Sequence, residues 1–207
     1  MEAAGRFTTG PWGAPLYCYE SLGSTNDEAK RLARAGAPHG TAVTARRQTA
    51  GKGRLGRSFY SPADAGMYVS VVLRPQIPAE QSLLITSAAA VAAARAIERV
   101  SGVEVKIKWV NDLYFTGKKL CGILSEASLG ADGRPEFIIV GIGVNLTRES
   151  FPPQLQEITT SILESGGRPV TPQVLLEETV RELLGVCGQL EERSFLSEYR
   201  ARSCVIG

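Results

Sequence analysis

Between Ser82 and Ile97 the chain reads SLLITSAAAVAAARAI, an apolar run interrupted only by Thr86, Ser87 and Arg95. The run is shorter than the roughly 20 residues a bilayer requires, so it predicts a buried helix. Its helical pattern extends from Pro78 to Ser101, and Gly102 ends it. Alanine has the highest helical propensity and lets a helix approach its neighbour closely, which suits packing on a sheet. The rest of the chain must therefore supply that sheet.

The strand signals are present on both sides of this helix. Thr41–Arg47 alternates and is β-rich, Gln48–Pro62 is a polar stretch with three glycines, and Met67–Leu73 is a second strand. Beyond the helix, Val105–Trp109 is β-like and Thr116-Gly117 can turn the chain. Leu120–Leu129 and Glu136–Val144 read as paired strands around Gly130–Gly133. Ahead of them, Thr25 to Glu28 has capping-box spacing and opens a helix that should stop at Gly36. A Pro-rich loop at Phe151–Pro153 precedes a helix from Pro172 to about Gln189 and a second helical piece near Phe195–Arg200. The expected fold class is α+β: a mixed, mostly antiparallel sheet with helices packed on one face.

With 207 residues, 43% of them hydrophobic, the chain can bury one sizeable core, so one main domain is expected. Twenty-three basic against 21 acidic residues leave a formal charge of +2. That supplies no polybasic surface for nucleic acid, and any anion site must be local. Cys18, Cys121, Cys187 and Cys204 are scattered without a CxxC pair, and His39 is the sole histidine, so neither a zinc site nor a disulfide scaffold is indicated. Glu2, Arg6 and Pro11 come with no apolar run before them, unlike a signal peptide. A cytoplasmic protein with no membrane partner is expected.

Three segments carry candidate chemistry. In Gly51-Lys52-Gly53-Arg54-Leu55-Gly56-Arg57, glycines free the backbone to turn N–H groups toward a ligand while three cations sit between them, an arrangement suited to phosphate. It is no P-loop, because Arg57 stands where lysine should be and Phe59–Gly66, broken by Pro62, cannot form the helix that must follow. By itself it reads equally as a solvated turn. The second segment is Lys108-Trp109-Val110-Asn111-Asp112-Leu113-Tyr114, followed by Lys118-Lys119-Leu120-Cys121-Gly122-Ile123-Leu124-Ser125-Glu126. Alone, Asn111 and Asp112 would pass as turn caps and the paired lysines as a solvated hairpin end. The third, Gly141-Ile142-Gly143-Val144-Asn145, lacks the helix and third glycine of a dinucleotide fingerprint.

Together and in this order, Ser24-Thr25-Asn26, Gln48 with the GKGRLGR loop, KWVND with KKLCGILSE, and GIGVN resemble the biotin protein ligase family, strongly over Tyr19–Leu146 and loosely beyond. The resemblance implies the class II synthetase-like biotin/lipoate ligase fold, with biotin, ATP and Mg²⁺ as substrates and metal. It also implies activation of biotin as biotinyl-5'-adenylate and its transfer to a lysine of a carboxyl carrier domain. Ser24, Thr25 and Gln48, with Asn26 beside them, would contact or line the pocket of the ureido ring. The backbone at Gly122 and Ile123 would meet biotin, and Trp109 would wall the pocket. Arg54 and Lys119 match the family's phosphate and carboxylate contacts, with Arg57, Gly51, Gly53 and Asn111 in support, and Asn145 falls near ATP and magnesium. Lys52 departs from the family's GRGR loop: lysine keeps the charge but loses planar bidentate bonding. Cys121 reads as a small core side chain and His39 as a loop residue.

Asp112 is the candidate carboxylate for orienting or deprotonating the incoming lysine, with magnesium and ATP organisation as its other reading. Lipoate or octanoate ligation is the rival function, opposed by a ring-binding Ser-Thr pair and Gln48. A biotin-sensing DNA-binding regulator is the other, opposed by the 23 residues ahead of Ser24. Residues 1–200 are expected to form the catalytic domain and 201–207 to open a small β-barrel. A homodimer through sheet edges is a further expectation, motivated by the apolar strand Phe137–Val140.

Overall fold

The computed structural model describes residues 5–204. Eight strands form one sheet in the order β1 (Arg6–Thr9), β2 (Pro15–Leu22), β3 (Ala42–Gln48), β4 (Gly66–Leu73), β8 (Pro135–Asn145), β7 (Lys118–Leu129), β6 (Asp112–Phe115) and β5 (Lys106–Lys108). Only β2 and β3 run parallel. A parallel pair needs a crossover, and α1 (Thr25–Arg34) provides it. The α+β expectation with a mostly antiparallel sheet is met.

The alanine-rich segment forms α2 (Ser82–Ser101), preceded by a single 3-10 turn at Ala79–Gln81 and closed by Gly102 at φ +81°. Ala88 to Ala94 are completely buried. With α4 (Pro172–Gly188) and α5 (Phe195–Arg202), α2 covers one sheet face, meeting Val69, Val71, Val140 and Val144. The expectation that helices keep to one face fails for α1. Its Ala29, Leu32 and Ala33 pack with Val72, Phe137 and Ile139, the alternate residues on the opposite face. Among the helices of the described residues, α1 packs on that second face.

Ion pairs join the helices of the covered face: Arg95 and Arg202 meet Glu198 at 2.6 and 2.8 Å, Arg95 and Arg99 reach Glu182, and Arg202 also grips Glu98. Beyond α5, Ser203 bridges Ile107 in parallel, and the Cys204 amide donates to the Ile107 carbonyl at 3.0 Å. The expected barrel opening at 201–207 begins differently, because helix runs through Arg202. Val205, Ile206 and Gly207 lie outside the described residues.

Thr116 (φ 45°) and Gly117 (φ +81°) form the two-residue reversal between β6 and β7, where a hairpin turn needs positive φ at both positions. Strands β1 and β2 and the short α3 (Pro153–Ile158) had no expectation attached to them. Phe137–Val140 lies in β8, hydrogen-bonded between β4 and β7. It cannot form an edge-to-edge contact, so that motive for a dimer is withdrawn. Among the described residues, no helix is long and apolar enough to cross a membrane.

Candidate active site

The thinly covered face holds a cavity of about 450 Å³ beside the N-terminus of α1, within the size range of small-molecule sites. One end is neutral. Here Ser24, Thr25 and Asn26 are buried at the start of α1, although no side chain caps the helix. The capping-box reading placed the helix start well but misassigned its chemistry. Thr25 is already inside the helix, and Glu28 turns away to accept from Tyr19 at 2.7 Å and from Arg31. Released from capping, Thr25 donates from its amide to Gln48 Oε1 at 2.8 Å, and its hydroxyl lies 3.0 Å from the same oxygen. Gln48 in turn donates to Ser61 at 2.9 Å, and Ser61 to the Phe59 carbonyl at 2.9 Å.

The glycines of the third motif are explained by what stands over them. A Cβ at Gly141 would lie 2.1 Å from Asn26 Oδ1, and one at Gly143 would lie 2.5 Å from the Phe59 ring. Gly122, opposite Gly143 in the sheet, makes room for the same ring and for the Lys119 side chain. Bare backbone thus forms the cavity floor at Gly122 and Gly143, with Ile123 in the wall. Phe59 was absent from the expected site residues; its signal was the run of sheet glycines that any ring above them would require.

The other end is cationic. Lys52, Arg54, Arg57, Lys108 and Lys119 line the cavity, against Asp112 as its single carboxylate among the described residues. Lys119 Nζ lies 2.8 Å from Asp112 Oδ1 and 5.7 Å from the Phe59 ring centroid. A β-bulge aims this lysine. The β6–β7 register slips between Leu113 and Tyr114, so Leu120 and Cys121 are both fully buried and Lys119 is returned to the cavity side. Burial pushes the Cys121 thiol pKa upward, consistent with a core side chain.

The GKGRLGR segment is a hairpin tip. Lys52 bridges Ser58, the Gly53 amide donates to Arg57 O at 2.7 Å, and Leu55 sits at φ 55° with 91% exposure. Two cations tie it across the cavity mouth: Lys52 to Asp27 at 2.5 Å and Arg54 to Asn111 Oδ1 at 3.2 Å. Asn111 also binds the Ile123 carbonyl through Nδ2 at 2.9 Å. Trp109 lines the cavity while remaining 69% exposed.

Two expected ligand contacts stand elsewhere. Gly51 lies behind the wall, where a Cβ would meet Phe59 O at 2.4 Å. Asn145 is buried off the cavity and donates to Thr160 O at 2.9 Å, while the Thr160 amide donates to Lys119 O, so it braces the strand that carries Lys119. His39 is an exposed loop residue whose Nδ1 accepts the Arg74 amide at 3.0 Å.

The model of the biotin/lipoate A/B protein ligase family matches residues 19–145. The chain is 39% identical over 160 residues to the bifunctional ligase/repressor BirA of Bacillus subtilis, covering 76% of this chain and 49% of that protein. It is 31% identical over 192 residues to the biotin--[acetyl-CoA-carboxylase] ligase of Mycobacterium tuberculosis, covering 89% and 69%. In structure it is similar to the biotin protein ligase from Aquifex aeolicus in complex with biotin and ATP, with TM-score 0.74 and 27% identity over 91% of this chain and 78% of that one. The chain spans about half the length of the Bacillus relative.

Proposed function

The chain belongs to the biotin/lipoate A/B protein ligase family, and from that premise we propose that it converts biotin and ATP to biotinyl-5'-adenylate and transfers the biotinyl group to a lysine of a carboxyl carrier domain. The observation that carries this reading is the polarity of one cavity. Neutral hydrogen-bonding groups at Thr25 and Gln48 stand at one end, and five cations against one carboxylate at the other. A ligand with an uncharged ring and an anionic tail fits that gradient, with room for a second anion at the cationic end.

In the first step a biotin carboxylate oxygen attacks the α-phosphorus of ATP, and pyrophosphate leaves. Both reactants are anions, so fixed positive charge from Lys119 and Arg54, with Arg57 and Lys52 nearby, offsets their repulsion and the charge developing on the leaving group. The donor set suits magnesium carried by ATP phosphates: Asp112 is the one cavity carboxylate, and no three His, Cys, Asp or Glu side chains converge among the described residues. When bound, such an ion neutralises phosphate charge. The hairpin tip stands over the mouth, where it shields the mixed anhydride from water.

In the second step the acceptor amine attacks the biotinyl carbonyl carbon, AMP departs with the bonding pair, and the amine loses a proton. With a reference pKa near 10.4, about one such amine in 2,500 is neutral at pH 7. Asp112, held by Lys119, is the carboxylate placed to orient or take that proton. The test is ATP-dependent incorporation of labelled biotin into a carrier domain, with an acceptor-lysine variant as control. Equal labelling of that variant, or preference for lipoate in incorporation and thermal-shift assays, would reject the proposal.

A further inference from the structure

Behind the neutral end of the cavity runs a line of hydrogen bonds that ends at a carboxylate none of the foregoing chemistry uses. Glu126 accepts from Lys30 Nζ at 2.8 Å through one oxygen and from Asn26 Nδ2 at 2.8 Å through the other. An ionised carboxylate only accepts, and so does the Leu124 carbonyl, 3.5 Å from the same Nδ2. The amide of Asn26 therefore has one permitted orientation, with Oδ1 facing Ser70. Ser70 Oγ lies 2.6 Å from that oxygen and 2.8 Å from Thr25 Oγ1. Asn26 Oδ1 carries no proton, so the single hydroxyl proton of Ser70 is drawn to the shorter contact. The Thr25 proton then has two destinations, Ser70 Oγ and Gln48 Oε1 at 3.0 Å. Both lie inside the protein, so Thr25 shows the cavity a lone pair.

We infer that Glu126 is a positioning residue that sets the sense of hydrogen bonding in the cavity. It holds Thr25 as an acceptor for a ligand N–H, and so selects a cyclic urea over a ring in which that N–H is replaced by oxygen. The inference rests on the reading of biotin as substrate and adds the device that recognises its ring. The pair is well suited to this task. Burial would favour the neutral acid, but the Lys30 ammonium, the hydrogen bond from Asn26 and the charge of Lys52 outweigh it, and Glu126 stays ionised below the ordinary carboxylate range. Gly141 is the packing counterpart, because only a glycine there leaves space for Asn26 Oδ1.

The Lys30 ammonium makes the inference sharply testable. In Glu126→Gln, Lys30 only donates and must take the new carbonyl oxygen, which leaves the new NH2 group facing Asn26. Asn26 then turns its own oxygen outward and its Nδ2 onto Ser70, and the Ser70 proton swings to Thr25, so Gln48 Oε1 at 3.0 Å is the one internal acceptor left for the Thr25 proton, and Thr25 can turn to donate to a ligand oxygen instead. Adding Lys30→Met removes that demand, lets the glutamine carbonyl face Asn26, and restores the original sense.

The probes are biotin and the two cyclic-carbamate isosteres in which one or other ureido N–H is a ring oxygen, measured by calorimetry. In the unaltered chain one isostere should bind at least about 100-fold more weakly than biotin, since it sets oxygen against a lone pair. In Glu126→Gln that ratio should fall below about 10-fold, with ATP affinity unchanged, and in the double variant it should return. Ser70→Ala, which breaks the line one link nearer the cavity, should give the same fall and serves if Glu126→Gln does not fold. An equal loss for biotin and the isostere in Glu126→Gln, or no return in the double variant, overturns the inference and leaves the biotin reading standing. Absence of biotin binding by the unaltered chain rejects both.

Discussion

Replacing Lys119 by alanine removes the cation at the junction of the two ends of the cavity. Its ammonium is 2.8 Å from Asp112, and both side chains are about three-quarters buried, with 28% and 23% exposure. A unit charge about 4 Å from a developing negative charge is worth about 4 kcal/mol at an effective dielectric near 20, or about 10³ in rate. Four other cations share the duty, so adenylate formation should slow by about 10²–10³, with a smaller effect on transfer. Asp112→Asn should do the reverse: near-normal adenylate formation and slow transfer, partly rescued by raising the pH, since each pH unit supplies about ten times more neutral amine. Single-turnover assays with ATP, and separately with preformed biotinyl-adenylate, resolve the steps. If Asp112→Asn abolishes adenylate formation and spares transfer, the proton role is wrong and the carboxylate belongs to ATP and magnesium.

Gly143→Ala places a methyl group 2.5 Å from the Phe59 ring. The ring must shift, costing about 1–3 kcal/mol in thermal unfolding and weakening biotin binding in calorimetry by about tenfold or more; unchanged affinity would dissociate Phe59 from the site. The hairpin over Ala50–Ser61, whose tip is tied across the cavity mouth by the exposed Lys52–Asp27 ion pair and the Arg54–Asn111 hydrogen bond, should be cleaved by protease in the free protein and protected by biotin with ATP; equal cleavage in both states refutes this. Acid should destabilise the fold. Arg31 lowers the Glu28 pKa against opposing burial, and at Glu198 burial is outweighed by Arg95 and Arg202. A lowered folded pKa stabilises the protein above the ordinary value near 4.5, and that stabilisation is lost as pH falls through the folded values. The melting temperature should therefore drop below pH 4.5, and less steeply in Glu198→Gln.

Much of the fold was readable because its signals are local. Ala88–Ala94 reads as a close-packed helix, and Leu120–Leu129 with Glu136–Val144 as paired strands around a glycine turn, so α2 and the β7–β8 pair were expected near their observed bounds, whereas the short β6 was not. Strand β2 was missed because its sequence, PLYCYESL, alternates weakly and its partner β3 lies beyond a helix. The position of α1 on the opposite face was not legible either, since the helical period states which stripe is buried but not against which side of a sheet. The site shows the same division. Residues named from separate motif segments, Lys119 with Asp112 and Thr25 with Gln48, meet in the structure. The resemblance sets Asn145 near ATP and magnesium, whereas its Nδ2 donates to the Thr160 carbonyl away from the cavity. Glu126 and Ser70 were passed over, one at the end of a motif and the other inside an apolar strand. Their meaning arises only when β4, β7 and α1 are brought together.

The sheet is packed with helices on one face and carries the cavity on the other, which divides its central strands by parity. In β8, Val140 and Val144 face the alanine helix, while Gly141 and Gly143 face the cavity. In β4, Val69 and Val71 lie among the core residues, and Ser70 between them joins the line to Glu126. Mutational scanning along either strand should therefore give a signal of period two in each of two assays, half a period out of phase. Abundance would dip at one set of positions and turnover per folded molecule at the other. A substitution's neighbour in sequence would then predict its effect less well than the residue two places away.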